Sequence, residues 1–226
     1  MHTYKYPRPE VAVDAVVFGF DAGALKLVLI QRGNEPAKGQ WALPGALVRE
    51  TETADETVRR SLAQKTGLTE LFLEQLYTFS DTHRDPRGRV ISIAYYCLVK
   101  KADYTVQLTQ ESPRWFNVDD LPALAFDHAT IIKTALSRLR AKLIYQPIGF
   151  ELLPQKFTLS QLQHLYEVVL GRTLDKRNFR KKILSTQILL ELPEKETGVK
   201  HKAAQFYQFD RVKYEKLSAR GLNIEV

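Results

Sequence analysis

The stretch from Leu43 to Leu68 limits the possible folds of this chain more than any other part of the sequence. It reads as a glycine-containing loop followed by a helix that stops at Thr66-Gly67. Apolar and polar residues fall on two separate stripes of that helix, so we expect one face to pack on a core. The apolar stripe is Ala54, Val58 and Leu62, and the polar stripe is Glu56, Arg60 and Gln64, with Glu52 just before it. A loop and helix of this kind hold phosphate-bearing ligands, with or without a metal.

This stretch resembles the Nudix box, the signature of hydrolases that cleave nucleoside diphosphates linked to another group. Residues of this chain that match the family pattern are Glu52, Arg60, Leu62, Gly67 and Leu68. The pattern is broken where Ala46 replaces the first glycine and where Ser61, Gln64 and Lys65 replace glutamates. In this family the metal polarises the phosphate and activates water, so the resemblance implies the scaffold of such an enzyme without its catalytic residues.

The substitutions remove the ligands that a divalent cation needs. Mg²⁺ prefers anionic oxygen ligands, whereas Gln64 offers a neutral carbonyl and Lys65 a positive charge. We therefore predict no catalytic residue, no metal and no cofactor, and a chain that is not an enzyme. We interpret Glu52 and Arg60 as an ion pair that fastens the loop to the helix. Glu56 leaves open a weakly held ion and residual hydrolysis.

Strand-like segments rich in β-branched and aromatic residues surround the box. They lie at Val11–Phe20, Leu25–Gln31, Phe72–Phe79, Val90–Val99 and Pro113–Phe116. An amphipathic helix is predicted to begin at Asp127. Strands covered by two helices predict the α/β (α+β) class, and the resemblance implies a Nudix-like α/β/α sandwich with a mixed sheet. We place this effector-sensing domain at residues 1–147.

The pattern changes at Pro147-Ile148-Gly149-Phe150, which we interpret as a domain boundary. The predicted elements after it are a helix over Thr158–Leu170 with a capping box at Thr158 and Gln161, a turn at Gly171, a helix over Asp175–Leu184, strands at Ile188–Leu192 and Gln205–Phe209, and a helix over Asp210–Arg220. Helix, turn, helix and hairpin form the order of a winged helix-turn-helix domain. We place that domain at residues 148–226.

The second helix of this motif is strongly basic. After residue 150 the chain carries 14 Lys and Arg against 9 Asp and Glu, which accounts for most of the net charge of +7. On a helical wheel Phe179, Ile183 and Leu184 are predicted to face the core. The predicted DNA-binding residues are Arg172, Lys176, Arg177, Asn178, Arg180, Lys181, Lys182, Lys200 and Lys202. Asn178 suits adenine, and Arg177 or Lys181 suits guanine, although a basic surface can also serve only solubility.

The combination is similar to the Nudix-related transcriptional regulators of NAD metabolism, the NrtR family. This resemblance rests on the broken box followed by a winged helix that contains LDKRNFRKKIL. The resemblance implies that the first domain senses ADP-ribose or a related NAD derivative. It also implies a homodimer that binds double-stranded operator DNA, represses genes of NAD synthesis or salvage, and is released by its effector.

A diphosphate effector requires cations, hydrogen-bond donors and stacking surfaces. The predicted effector-binding residues are Arg32, Trp41, Arg60, Phe79, Asp81 and His83, with Arg84 on the same loop as the last two. Arg32 suits a phosphate or adenine contact, and Arg60 suits a phosphate if Glu52 does not fully occupy it. The aromatic rings stack on adenine or ribose. Each has a plainer reading, as a surface arginine or a core aromatic. His128 is interpreted as a capping or packing residue.

Two alternatives stay open. The chain is an ADP-ribose-type Nudix pyrophosphatase with a basic accessory domain, or it is an interaction module that neither binds nucleotide nor turns it over. Turnover with metal tests the first, and nucleotide-induced stabilisation tests the second. No apolar run of membrane-spanning length and no signal peptide are evident, and the single Cys97 forms no internal disulfide. We therefore expect a cytoplasmic protein with no membrane partner.

Overall fold

The structure is a computed structural model that describes residues 8–69, 71–101, 111–197 and 203–218. By its internal contacts the chain divides into two units. The first takes the described residues of Met1–Gly19, Lys26–Val99 and Asp103–Leu136, and the second takes those of Phe20–Leu25, Lys100–Ala102 and Ser137–Val226. Among the described residues, no helix combines the length and the apolar character that crossing a membrane requires.

The first unit is built on a seven-stranded sheet. Its strands are β1 Glu10–Asp21, β2 Ala24–Gln31, β3 Trp41–Ala42, β4 Gly45–Leu47, β5 Glu74–Phe79, β6 Val90–Val99 and β7 Arg114–Asn117. The order is β3-β2-β1-β6-β5, with β4 paired to β1 and β7 to β2. β1 and β6 run parallel in register from Glu10 opposite Val90 to Gly19 opposite Val99, whereas β4, β5 and β7 pair antiparallel. The predicted mixed sheet is confirmed.

Helix α1, Ala54–Thr66, is defined at both ends by its own sequence. Thr53 and Glu56 form a capping box at its start, and Gly67 ends it with a positive φ of 74°, which glycine adopts without strain. Val58 and Leu62 are buried against the sheet with residues of β1 and β6, and Ala54 packs beside them half-buried. The predicted apolar stripe of this helix is therefore confirmed.

Helix α2, His128–Tyr145, follows β7, and its residues from Ser137 onward belong to the second unit. The predicted strand at Phe72–Phe79 is shorter than expected, because it begins at Glu74 and the Phe72 side chain is 86% exposed. An isolated aromatic residue raises strand propensity locally but forms no strand without a partner to pair with.

The second unit has the order of a winged helix. After a 3-10 turn at Ile148–Leu152, its elements are β8 Phe157–Thr158, α3 Leu159–Leu170, α4 Lys176–Ser185, β9 Leu189–Lys195, β10 Gln205–Phe209 and α5 Arg211–Ser218. The three strands pair antiparallel in the order β8-β10-β9. Sequence patterns predicted all of these except β8, which is too short to show a period of two.

The core of this unit is aromatic and aliphatic. The whole predicted stripe of α3 is buried: Leu159, Leu162, Leu165, Tyr166 and Val169. Phe150 stacks on Phe209 with ring centroids 4.4 Å apart. Leu184 corrects the sequence interpretation, since it is 43% exposed whereas Phe179 and Ile183 are buried. At 100° per residue Leu184 lies about 140° from Phe179, beyond the half-turn that faces the core, whereas Ile183 lies only about 40° away.

Candidate functional site

A charged cavity of about 210 Å³ opens in the first unit beside β1, β2 and β4. It collects groups that lie far apart in the sequence, from the strand β1 to the start of α2. The cations of its wall are Arg32, Lys65, Arg84 and Arg87, and its acids are Asp14, Glu35, Asp85 and Glu111. Phe126 and His128 supply the rings. Four cations gathered around one cavity can contact an anionic ligand, and the four acids balance their charge.

Arg84 forms the rigid base of the cavity, with only 4% of its side chain exposed. Its Nε and Nη2 donate to the Asp127 carboxylate at 3.0 and 2.7 Å, and Nη2 also reaches Asp14 at 3.3 Å. Burial by itself lowers the pKa of Arg84, but the hydrogen bonds and charges of Asp127 and Asp14 outweigh that effect and raise it. Ser92 Oγ donates a further 2.6 Å bond to Asp14. Each buried charge is therefore compensated.

His128 closes the same cluster from the start of α2. Its Nδ1 accepts the Leu43 backbone N–H at 2.9 Å, and its Nε2 lies 3.4 Å from Asp14 Oδ1. An Nδ1 that accepts a hydrogen bond carries no proton, so the neutral ring is protonated at Nε2 and points that N–H toward Asp14. Burial is the main cause of the lowered pKa of His128. The predicted packing role is confirmed, with the addition that the ring fixes the loop before β4.

Gly45 lets the backbone of β4 lie directly on this cluster. A Cβ atom at this position would collide with the Asp14 carboxylate and with the Val13 carbonyl. Any side chain here would therefore push β4 away from Asp14. Gly45, the glycine of the Leu-Pro-Gly-Ala sequence, is thus needed for the close approach of β4 to β1.

Three cations on the wall of the cavity stand apart from this base: Arg32, Lys65 and Arg87. Arg87 is held by Asp85 at 2.6 Å. Arg32 Nε donates to the Pro36 carbonyl at 2.9 Å, and its guanidinium lies 4.7 Å from the centre of the Phe126 ring. Burial, followed by repulsion from Arg87, lowers the pKa of Arg32. Lys65 Nζ lies 3.1 Å from Glu111 Oε2. Arg32 and Lys65 therefore bring positive charge to one small space.

A second, more open groove of about 610 Å³ adjoins the first. Arg84 and Phe126 line both, so the two share one wall. Its other walls include Phe79, Asp81 and His83. The His83 backbone N–H donates to Asp81 Oδ1 at 2.8 Å, while 93% of the His83 side chain is exposed. This groove falls in the range of about 300–1,000 Å³ usual for small-molecule sites.

The structure thus separates the six predicted effector residues. Arg32 lines the first cavity, and Phe79, Asp81 and His83 line the groove. Trp41 and Arg60 line neither of these two cavities. Trp41 packs edge-on against Phe116, with ring centroids 4.7 Å apart, which is the core role weighed for it above. As contacts with a nucleotide, all six assignments stay predictions.

The charged residues that remain in the Nudix box contact other residues of the loop and of helix α1. Arg60 Nε and Nη2 each donate to the Glu52 carboxylate at 2.8 Å, and Thr57 Oγ1 adds a 3.1 Å bond. The predicted ion pair is confirmed, and it is the main cause of the lowered pKa of Glu52. Glu56 is held by the capping box, where its Oε2 accepts the Thr53 N–H at 2.8 Å and the Thr53 hydroxyl at 2.9 Å.

The positions that hold glutamates in the family do not fit a divalent cation here. Ser61 is buried, and its hydroxyl meets no hydrogen-bond partner among the described residues. Gln64 is exposed and neutral, and Lys65 brings a positive charge. Within the described part of the chain, no three His, Cys, Asp or Glu side chains converge as metal ligands would. The donors present therefore do not fit Mg²⁺.

Sequence reasoning missed the base of the cavity. Asp14, Asp127 and Arg84 are the three groups that meet there. Of these, only Arg84 is a site candidate from the sequence, on the loop that also carries Asp81 and His83. One signal was present: Asp14 is a lone acid within the apolar run VAVDAVVFGF. A buried carboxylate requires a partner, but the run itself does not say which residue supplies it.

A basic helix face is the candidate site of the second unit. Lys176, Arg177, Asn178, Lys181 and Lys182 of α4 are exposed, as is Arg172 before the helix. Arg180 differs, because it is half-buried and its Nη2 lies 3.2 Å from Ser160 Oγ of α3. The predicted Lys200 and Lys202 lie outside the described residues.

The turn between α3 and α4 is held by specific hydrogen bonds. Glu167 Oε1 accepts the Leu174 N–H at 2.9 Å and the Gln163 side-chain amide at 3.0 Å. Gly171 ends α3 with a φ of 67°, and the Asp175 carboxylate caps α4 by accepting the Asn178 N–H at 2.8 Å. The basic face of α4 is therefore presented from a helix pair of fixed geometry, as groove recognition requires.

Sequence comparison finds two domain families in this chain. The NUDIX domain model matches residues 8–136, and the NrtR DNA-binding winged helix domain model matches residues 149–209. The ADPR responsive transcriptional repressor NtrR of Acinetobacter baylyi is 34% identical over 93% of this chain and 86% of its own length. The ADP-ribose pyrophosphatase of Methanocaldococcus jannaschii is 39% identical over 57% of this chain and 73% of its own.

Solved structures agree with this division. Shewanella oneidensis NrtR complexed with a 27mer DNA matches with a TM-score of 0.79 and 32% identity, covering 91% of this chain and 95% of that one. The NUDIX domain of the same protein complexed with ADP ribose matches with a TM-score of 0.55 and 36% identity, covering 59% of this chain and 90% of that one.

Proposed function

The chain belongs to the NrtR family, and on that premise we propose that it is a transcriptional repressor that senses ADP-ribose or a close NAD derivative. The genes that it represses are those of NAD synthesis or salvage, and binding of the effector releases the protein from the operator. The resemblance to the family also implies a homodimer, which would read two operator half-sites about 34 Å apart, and we place it in the cytoplasm.

The observation that carries the proposal is the basic face of α4. Its cations are exposed, whereas Lys156, elsewhere in the same unit, is held by Glu194 at 2.7 Å. Exposed cations on a capped helix neutralise phosphates, and Arg177 and Asn178 add side chains that can bond to base edges. The Shewanella oneidensis relative of the same fold was crystallised with DNA, which supports this use of the helix.

The effector is assigned to the cavity and groove of the first unit. Its cations suit a diphosphate, Phe126 and Phe79 suit a base or ribose, and the bonded base of Arg84, Asp127 and Asp14 keeps the space open. The ADP ribose complex of the related NUDIX domain supports both the ligand class and the unit that takes it.

We further propose that the Nudix domain is catalytically degenerate. Glu52 and Glu56 are already engaged by Arg60 and Thr53. The other positions where the family pattern has glutamates are Ser61, Gln64 and Lys65, which bear no carboxylate. A sensor benefits from this loss, because a ligand that is not hydrolysed reports its own concentration. The alternative, an ADP-ribose pyrophosphatase with a basic accessory domain, is favoured by the similarity to the archaeal pyrophosphatase.

One pair of assays tests both functions. A preferred duplex is first selected from a random DNA library, and its binding is then measured by fluorescence anisotropy against a scrambled duplex. We expect selective binding that saturating ADP-ribose weakens, because a ligand that prefers one state must shift the other equilibrium. Absence of DNA binding at low salt contradicts the repressor. Steady AMP release from ADP-ribose with Mg²⁺ supports the enzyme instead.

A further inference from the structure

The position of Lys65 suggests how a Nudix scaffold holds a diphosphate without a metal. Lys65 stands in the last turn of α1, where the family pattern has a glutamate that serves the metal. Its side chain lines the same cavity as Arg32, Arg84 and Arg87. A residue that served a cation has therefore been replaced by a residue that is itself a cation, in the cavity where we place the effector.

Mg²⁺ beside a diphosphate supplies positive charge and activates water. An ammonium group supplies charge and three N–H donors, but it is not a Lewis acid. Replacing the first by the second keeps attraction for the phosphates and removes the means of cleaving them. This accounts for the loss of carboxylates at Ser61 and Gln64, which an ammonium does not need.

One partner of Lys65, Glu111, lines the same cavity. Glu111 Oε2 lies 3.1 Å from Lys65 Nζ, yet among the described residues it receives no well-aligned hydrogen bond. The two side chains are 25% and 24% exposed, so both reach the cavity and the solvent. The pair differs from Arg84 with Asp127, where two short bonds fix the guanidinium. An ammonium has three N–H donors, so Lys65 can contact an arriving anion while it stays beside Glu111.

We propose that Lys65, together with Arg32, takes over the electrostatic role of the Nudix metal and binds the diphosphate of the effector directly. This rests on the proposed function, because it names the groups that recognise the proposed effector. Binding of ADP-ribose then needs no divalent cation. The plainer role for Lys65 is to complement the C-terminal end of α1 and to pair with Glu111, which affects stability and not ligand binding.

Calorimetric titration of the full chain with ADP-ribose separates these roles. The wild type is measured in EDTA and again in Mg²⁺, and we expect the two dissociation constants to agree within about twofold. K65M should weaken binding about tenfold or more in EDTA, the scale of one lost charge-assisted bond. K65R keeps the charge and should recover most of the affinity. K133M changes another exposed helical lysine, one outside both cavities, and should bind as the wild type does.

Circular dichroism of each variant establishes that it is folded before its affinity is interpreted. The inference is overturned if K65M binds ADP-ribose as tightly as the wild type, or if EDTA abolishes wild-type binding. If the wild type binds no ADP-ribose under either condition, the proposed effector itself fails, and the inference fails with it. The first two results leave the repressor proposal standing, so the two failures are distinguishable.

Discussion

Charged side chains do different work in the two units. In the first unit Arg84 is buried and held by Asp127 and Asp14, so its charge is used inside the fold. In the second unit Arg177 and Lys181 are exposed on α4 and are available to a partner. The same residue types therefore fix a cavity in one place and present a binding surface in the other.

The difference follows from the cost of desolvation. A guanidinium removed from water is stable only with carboxylates at hydrogen-bond distance, so every group around Arg84 is constrained. A cation on a helix surface keeps its water until a phosphate displaces it, and the release of counterions then favours binding. Substitution of Arg84 or of its buried partners should therefore change stability, and substitution of the exposed cations on α4 should change DNA binding alone.

Removing Arg84 should have the largest effect. R84M leaves Asp127 and Asp14 buried without their cation, which should lower the free energy of unfolding by about 3–5 kcal/mol. Urea unfolding followed by tryptophan fluorescence measures this, because Trp41 and Trp115 both lie in the first unit. R49M is the control, since that side chain is 63% exposed. An unchanged midpoint for R84M would contradict the contrast between the two units.

Next in size is the loss of base recognition on α4. R177A or N178A should reduce the preference for the selected duplex over a scrambled one by about 1–3 kcal/mol. Neither variant should move the urea midpoint, because both side chains are exposed. Competition anisotropy measures the preference, and K156A, a lysine away from α4, serves as the control. If either variant instead lost stability and kept its preference for the selected duplex, that residue would serve the fold and not DNA binding.

The third prediction concerns pH and the first unit. The folded pKa of His128 lies below the unfolded value of about 6.5, since the ring is buried. Below that pH the unfolded chain takes up a proton that the folded chain resists. Stability is therefore present above about pH 6.5 and is lost as the pH falls, by at most about 1.4 kcal/mol per pH unit.

H128N provides the check on this titration. Asparagine can still accept the Leu43 N–H that His128 Nδ1 accepts at 2.9 Å, but it does not titrate. The urea midpoint of H128N, measured from pH 7 to pH 5, should depend on pH less steeply than that of the wild type. Equal slopes would show that other groups cause the pH dependence.

The smallest expected effect is that of a single phosphate contact. K182A should weaken selected and scrambled duplexes alike and should reduce the slope of log K against log salt by about one. Titrations at several salt concentrations measure the slope. If K182A weakened binding to the selected duplex only, Lys182 would contact bases and not only phosphates. The basic face of α4 would then contain one more base-reading residue.

The order of the long helices and strands along the chain was predictable, because each one carries its own pattern of apolar residues and caps in a short stretch of sequence. The stripe of α3, its capping box and the Asp175 cap of α4 are all readable from spacing. Short or non-local elements were not: β8 has two residues, and Phe72 lies outside the strand predicted to include it. Leu184 needed no tertiary information, because helix geometry by itself places it about 140° from Phe179 and off the buried face.

The sequence alone determined the broken box, the capped helices and the basic face of α4, since these depend on residues within a few positions of one another. Only the tertiary structure brought Arg84 to Asp127, 43 positions away, and to Asp14, 70 positions away. The parallel pairing of β1 with β6 and the start of α2 create that meeting. A charged residue within an apolar run of the sequence indicates that a partner of opposite charge must lie nearby in the fold. The sequence does not identify that partner, because the topology of the chain determines which distant groups come together.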